Sequence, residues 1–428
     1  MDIEGRRRVP HIEDGRVTTT GRILDLLRTQ GTLSRVELAG RTGLTAATIT
    51  HAVRRLIEGG LVHEVGLDPQ QGRGQPRRLL ELNAASWCAV GIQIDRTTTT
   101  IVVLDFAGGR IAHAGLRGSG GDGPDATIAA LADHVTDLLR RNGVPQERVL
   151  GVGLVTHGPQ DRERGTLLTA QPEPEWLEFP LTDTLSSLLG LPVLLENDAT
   201  AAAFGEQWAG AVPTDTFGLI YMASGIGGGV VVDGESYRGR ASNAVEIGHV
   251  ALNGGSARCV CGNRGCAQAE AGPRAVVEQV LADAPLAERL GVNGPPDGTL
   301  ADFERIARAW HRGDRDAAAP LERSARWIGQ AAVTLVNLFD LDTVVLAGPA
   351  FVTAGPLYRE RIAAELELRA LSRALSRPEV RLAANVDTAA AIGGALHVLR
   401  TIPIGARAPG TSSDVPNHIS APPHEGAS

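Results

Sequence analysis

The sequence predicts an α/β chain of three blocks: a small helical unit ending in a β-hairpin, then two similar strand-first α/β lobes. Three observations carry this. Apolar residues recur at helical spacing between residues 18 and 60, and two short apolar runs follow at 61–65 and 78–82. From about residue 86 strands come first and then alternate with helices, and the same order restarts near residue 217. A chain of 428 residues is long enough to give each block its own core.

The first unit divides into recognisable pieces. Ile23, Leu24, Leu26 and Leu27 give one apolar helix face. Ser34-Arg35-Val36-Glu37 is a capping-box pattern ahead of a short helix, and Gly43 marks a tight turn. Thr45 caps a third helix with Ile49, Val53, Leu56 and Ile57 on its apolar side, and Gly59-Gly60 ends it. The two runs that follow read as a hairpin, or wing. Three short helices and a wing are the layout of a winged helix-turn-helix. In such a unit the third helix enters the major groove. Ala46, Ala47, Thr48, Thr50, His51 and Arg54 face away from its apolar stripe, and Arg55 stands beside them. Their methyls, hydroxyls and guanidiniums suit base edges and phosphates. The wing loop Gly72-Arg73-Gly74-Gln75-Pro76-Arg77-Arg78 brings Arg73 and Arg77 to the backbone or minor groove. Ser34 and Thr45, at two helix starts, complete the candidate DNA-contacting set. A protein-interaction module of the same layout is the alternative.

The first lobe opens with strands at 88–94 and 99–106 and a short third at 110–112, then a helix at 125–141. Strands at 149–156 and 192–195 and a helix from Ala199 complete it. The second lobe begins with strands at 217–223 and 230–233 and contains a buried strand at 343–346. The expected units are 1–17, a flexible tail; 18–82, the winged unit; 83–209 and 210–401, the lobes; and 402–428, a disordered tail rich in Pro, Ser and Gly. The last helix is allowed to pack on the first lobe.

Composition excludes several classes. Hydrophobic residues at 43% and charged residues at 21% mark a globular chain. No run of about 18 apolar residues occurs, so no membrane span is expected. The arginines near the N-terminus have no apolar run behind them, so no secretory signal is expected. Four cysteines are too few for an extracellular disulfide framework, and the expected location is cytoplasmic. The net charge of −8 hides an asymmetry. Residues 1–82 hold 13 Arg against 10 Asp and Glu, a net of +3, whereas the rest carries −11. A slightly basic head on an acidic body hints at different partners for the two.

Three cysteines lie within eight residues. His249, Cys259, Cys261 and Cys266 offer one imidazole and three thiolates, a set suited to tetrahedral Zn²⁺. Four such ligands leave no open position, so the expected role is structural. Glycines 254, 255, 262 and 265 allow the backbone to fold the ligands together. The alternative is three buried cysteines and an unrelated histidine; Cys88, alone on a strand, is read as core. Asn197-Asp198, taken alone, reads as a turn and helix cap before Ala199.

The run Glu246-Ile247-Gly248-His249, followed by Cys259-Val260-Cys261-Gly262-Asn263-Arg264-Gly265-Cys266, resembles the signature of the ROK family of repressors, open reading frames and kinases. Glu196-Asn197-Asp198-Ala199 resembles its sugar motif, and Ser224-Gly225-Ile226-Gly227-Gly228-Gly229 its second glycine loop. The resemblance spans about Thr18 to Arg400. It implies an actin-like sugar-kinase (ribonuclease H-like) fold behind the winged helix. It also implies that Asn197, Asp198, Glu246 and His249 hold sugar hydroxyls, and that Asp198 stands where the kinases keep their catalytic base.

Two departures shape the functional expectation. The family's kinases carry Asp-x-Gly-Gly-Thr after the first strand to cradle ATP phosphates, whereas this chain has Gln93-Ile94-Asp95-Arg96-Thr97. Ala347-Gly348-Pro349 is also poorer in glycine than the family's adenosine-side motif. The ATP site is therefore expected to be lost and no catalytic residue is expected, Asp198 serving only to bind. In the sugar site, Gln268 stands where the family has a glutamate, and Val245 replaces the glycine before Glu246. The combined expectation is a sugar-responsive DNA-binding regulator, most simply a repressor. It would be a homodimer, or a tetramer, on a palindromic operator, with a sugar or sugar derivative between its lobes and a structural Zn²⁺. The rivals are an ATP-dependent sugar kinase that also binds DNA, and an effector-independent DNA-binding dimer.

Overall fold

The computed structural model describes residues 19–67, 77–119, 121, 123–294 and 299–401. Both expected tails and most of the wing loop, Arg73 included, lie outside the described residues.

The head contains α1 (Thr19–Gln30), β1 (Leu33–Ser34), α2 (Arg35–Thr42), α3 (Ala46–Glu58), β2 (Val62–Leu67) and β3 (Arg78–Leu82). The capping box forms: Ser34 Oγ accepts from Glu37 N, while Ser34 N donates to Glu37 Oε2 at 2.8 Å. Gly43 ends α2 at φ +69°, a conformation open to glycine at little cost. Thr45 caps α3, whose Ile49, Ala52, Val53 and Leu56 are buried. β2 and β3 pair antiparallel as the wing. Leu33 and Ser34 add a third strand beside β3, which two residues alone do not signal in sequence.

The body repeats one topology twice. The first sheet uses β4 (Cys88–Ile94), β5 (Thr98–Asp105), β6 (Arg110–Arg117), β7 (Val149–Thr156) and β10 (Val193–Asn197), in the order β10-β7-β4-β5-β6. The second uses β11 (Phe217–Met222), β12 (Ile226–Val232), β13 (Glu235–Ser236), β14 (Thr343–Ala347) and β15 (Glu379–Leu382), in the order β13-β12-β11-β14-β15. In each, the first strand is central, the second and third run antiparallel on one side, and the fourth and fifth run parallel on the other. This repeat is the two-lobed architecture expected. α4 (Pro124–Arg141) and α5 (Leu181–Leu189) cover the first sheet, and a small β8–β9 hairpin (Gln160–Asp161, Thr166–Leu167) projects from it. The second carries α7 (Ala267–Ala271), α8 (Pro273–Leu281), α9 (Ala284–Leu290), α10 (Thr299–His311), α11 (Arg315–Phe339) and α12 (Phe351–Arg369).

Equivalent helices follow the fifth strand of each sheet, α6 (Asp198–Trp208) and α13 (Ala389–Thr401). They cross at small residues: a Cβ on Gly393 would lie 1.7 Å from Ala201 O. Each covers the other lobe's sheet. A Cβ on Gly229 of β12 would meet Ala199 O of α6 at 2.5 Å, and one on Gly91 of β4 would meet Ala391 O of α13 at 1.9 Å. This explains the Gly227–Gly229 run and corrects its reading as a loop. Those glycines are strand residues of β12 paired with β11, and Ala223, Ser224 and Gly225 form the turn. Glycine is needed there because α6 packs directly on the strand.

The head is not a tethered module. One continuous apolar cluster joins Ile23, Leu27, Val53 and Leu80 of the head to Trp87, Leu104, Phe106, Trp208 and Leu396 of the body. Within it Arg28 donates to Phe106 O at 2.9 and 3.2 Å and lies over the Trp208 ring at 4.4 Å. No helix among the described residues is long and apolar enough to cross a membrane.

Candidate functional site

The residues singled out in the sequence fall into three constellations. On the head, Thr45, Ala46, Ala47, Thr48, Thr50, His51, Arg54 and Arg55 are all exposed along the outer side of α3. The hydroxyls are partly occupied: Thr45 Oγ1 lies 2.9 Å from Thr48 Oγ1, and Thr50 Oγ1 donates to Ala46 O at 2.7 Å. Their methyls and the two arginines are the surface presented. Arg77 is exposed at the base of the wing, whereas Arg78 pairs with Glu64 at 2.8 Å. Ser34 is a correction. It is 1% exposed with its hydroxyl engaged by Glu37, so it shapes the α1–α2 turn and presents nothing to DNA.

The second constellation lies between the lobes, around Gly158 at the end of β7. A Cβ there would meet Glu246 Oε1 at 3.1 Å, Asn197 Nδ2 at 3.5 Å and Asn243 Oδ1 at 3.6 Å. Three polar groups thus converge on a backbone left bare. Asn197 serves both readings. Its Oδ1 caps α6 by accepting from Thr200 N at 3.0 Å, while its Nδ2 points towards Gly158. Asp198 Oδ1 accepts from Ala199 N at 2.7 Å. Burial raises its carboxyl to about 7; the Ala199 N–H opposes this, and the nearby Asp95 and Glu246 carboxylates add to it. Burial likewise raises Glu246, with His249 acting against it. Gln268 Oε1 accepts from Ile226 N at 3.1 Å, so this amide oxygen already supports the Ser224–Gly225 turn. Asn243 was not anticipated. It grips the backbone of Gln160 from across the cleft, accepting from its N at 2.8 Å and donating to its O at 3.0 Å. A lone asparagine in a loop carries no sequence signal for this. Val245 has φ +65°, strained for a β-branched residue.

Asp95 fills the β4–β5 turn. Its Oδ2 accepts from Thr97 N and Oγ1 at 3.2 and 3.0 Å, and its Oδ1 accepts a short hydrogen bond from Ser224 Oγ. The two turns that face each other across the cleft are therefore tied directly by a carboxylate and a hydroxyl. Gln93 is buried behind them.

The third constellation is the Cys/His group. One ligand atom from each of His249, Cys259, Cys261 and Cys266 lies within 4.8 Å of the others, an arrangement able to hold a metal ion. Cys261 Sγ and Cys266 Sγ are 3.7 Å apart, and Cys259 Sγ and His249 Nδ1 are 3.5 Å apart. A tetrahedron with metal–sulfur bonds of about 2.3 Å has edges of about 3.8 Å, so the donors fit such an ion. Burial raises the Cys266 thiol to about 12, with its contacts to Cys261 and Cys259 adding to this. Glu270 braces the loop, its Oε1 accepting from Ser256 N and Ala257 N at 2.6 and 2.7 Å. Gly255 and Gly265 pass so closely that a Cβ on Gly255 would stand 2.8 Å from Gly265 Cα.

Comparison with known proteins agrees with this fold. The ROK family model matches residues 89–401, and a winged helix-turn-helix DNA-binding model matches residues 18–63. The xylose repressor of Caldicellulosiruptor bescii is 26% identical over 370 residues, which is 84% of this chain and 90% of that protein. The crystal structure of a ROK family transcriptional regulator, a homologue of the E. coli MLC protein, superposes with a TM-score of 0.71 at 24% identity over 91% of this chain and 98% of that one. A ROK family glucokinase from Streptomyces griseus, in complex with glucose and AMPPNP, is 28% identical with a TM-score of 0.60, over 72% of this chain and 98% of that one. With its two-lobed body matched from Ala89 to Thr401 and a winged head in front of it, the chain belongs to the ROK family.

Proposed function

We propose that the protein is a sequence-specific DNA-binding transcriptional regulator, most simply a repressor, controlled by a sugar or sugar derivative between its lobes. One observation carries the reading. The polar groups around Gly158 remain gathered, while Asp95 and Ser224 close off the position where a kinase holds phosphate. Asn197, Asp198, Glu246 and His249 would take the hydroxyls, with Asn243 beside them. D-xylose and D-glucose, named with the relatives above, are the first ligands to try. The Cys/His group would hold a structural Zn²⁺ that places His249 and the α7 turn. A homodimer would set two α3 helices on a palindromic operator with half-sites roughly 34 Å apart or a multiple of it.

Selection of DNA fragments on the purified protein tests the reading. Recovery of a palindromic motif supports it, and binding without sequence preference overturns it. Arg54→Ala with Arg55→Ala is expected to weaken operator binding at least ~100-fold, because each dimer loses four contacts of roughly 1 kcal/mol or more. The slope of affinity against salt should also become shallower by fluorescence anisotropy. In a coupled ADP-release assay over a sugar panel, no turnover above background is expected; turnover abolished by Asp198→Asn would establish the kinase instead.

A further inference from the structure

Residues 237–246 leave β13 on the second lobe and cross to the first as a strap with two anchors. Asn243 holds the backbone of Gln160. Arg238 holds Glu196, the last side chain of β10 before Asn197, at 2.8 and 3.1 Å. Glu196 is 2% exposed, and its Oε2 also meets Arg162 Nη2 at 3.1 Å and His397 Nε2 at 3.9 Å. Burial works to raise its carboxyl, but the guanidiniums of Arg162 and Arg238 outweigh this and hold it below the usual range. Burial pushes the His397 imidazole down to about 3, so it is neutral and serves as a packed, hydrogen-bonding ring. The carboxylate is fully occupied by protein groups and is not available to a sugar.

His397 lies on α13, and from there contacts run without a break to the head. Its ring meets Phe204 of α6 edge-on at 5.6 Å, and Phe204 stacks on Trp208 at 5.4 Å. Trp208 carries the Arg28 guanidinium of α1 on its face at 4.4 Å. Three residues past His397, Arg400 lies over Phe204 at 5.6 Å and pairs with Asp25 of α1 at 3.6 Å. Its Nη1 also donates at 2.9 Å to Glu235, at the root of the strap. Glu196 is therefore a side chain that the strap, the first lobe and the final helix share, and that helix abuts the DNA-binding head.

We propose that Glu196 is a coupling residue: by joining the strap to α13 it makes the closure of the cleft and the seating of α1 a single equilibrium. The proposal deepens the reading above, since it names how occupancy of the cleft reaches the head. A ligand that changes the strap's grip shifts the Arg238–Glu196 pair, and the rigid α6–α13 pair carries the shift to Arg28 and Arg400. Coupling of this kind requires an element with two arrangements that both sites bias.

Hydrogen exchange of the full chain tests it without DNA or sugar, so failure of either to bind would defeat the proposed function and leave this test standing. Arg238→Gln and Glu196→Gln are compared with the wild type. The amides of α1 are expected to exchange at least tenfold faster in both variants, while those of α12, on the far side of the second lobe, keep their wild-type rates. Acceleration confined to the strap, with α1 unchanged, would overturn the proposal. So would equal acceleration in α1 and α12, which is general loss of stability. If Glu196→Gln fails to fold, Arg238→Gln decides alone, because Glu196 keeps its Arg162 partner there.

Discussion

Removal of the zinc proposed for the Cys/His group is expected to lower the thermal midpoint by about 10 °C and to abolish any response to sugar. The loop from Val250 to Cys266 has no core of its own: Cys261 is exposed, Cys259 only part-buried, and Val260 is 68% exposed. Leu252 at one end is buried in the lobe's core, but the order of the rest depends on a few backbone hydrogen bonds, the Glu270 brace and the four donors. Structural zinc contributes on the order of 10 kcal/mol in small sites. Even a few kcal/mol of that, spread over a lobe of this size, amounts to about 10 °C. The loop also sets His249 beside Glu246 and delivers α7, whose Gln268 supports the Ile226 turn. Metal analysis should find about one zinc per chain, and Cys266→Ser should lose both the ion and the sugar response. Full thermal stability after chelation would contradict the structural role.

Asp198→Asn is expected to stabilise the protein at pH 8 and to do so by less than half as much at pH 5. The carboxyl sits at about 7 in the folded chain, against about 3.8 when free. Between those values the folded state binds more protons than the unfolded chain, so stability falls as pH rises through the window from about 4 to about 7. Above it the folded protein carries a buried charge that costs at most roughly 4 kcal/mol. An amide of the same shape avoids that cost. Thermal midpoints of both proteins at the two pH values check it. An equal gain at pH 5 and pH 8 would show that burial of charge is not the cause. The same carboxylate is the one a bound hydroxyl would satisfy, so a ligand should stabilise the wild type more at pH 8 than it stabilises the variant.

The sequence made much of this legible, because the signals were local. The Ser34 and Thr45 caps, the Gly43 turn and the apolar stripe of α3 each specify their element within a few residues. The Cys/His spacing likewise brings its donors together over one short loop. What stayed hidden depends on contacts between distant segments. Ser34 reads as a surface hydroxyl until β1 pairs with β3 and buries it. The glycines 227–229 read as a loop until α6 is laid on β12. Glu196 reads as part of a sugar motif until Arg162, Arg238 and His397, from three separate parts of the chain, close around it. The −8 net charge also proved a poor guide, since the exposed face of α3 presents Arg54 and Arg55 with no ion pair to a described residue.

Occupancy of the cleft is expected to change the affinity of the head for its operator. The most direct measurement is fluorescence anisotropy of the selected operator fragment at fixed salt, titrated with protein in the absence and presence of saturating sugar. The expected result is sequence-specific binding that one sugar shifts by roughly 5- to 150-fold, as a coupling of about 1–3 kcal/mol requires, a shift lost in Glu246→Gln. Calorimetric binding of a sugar with no change in operator affinity would contradict it.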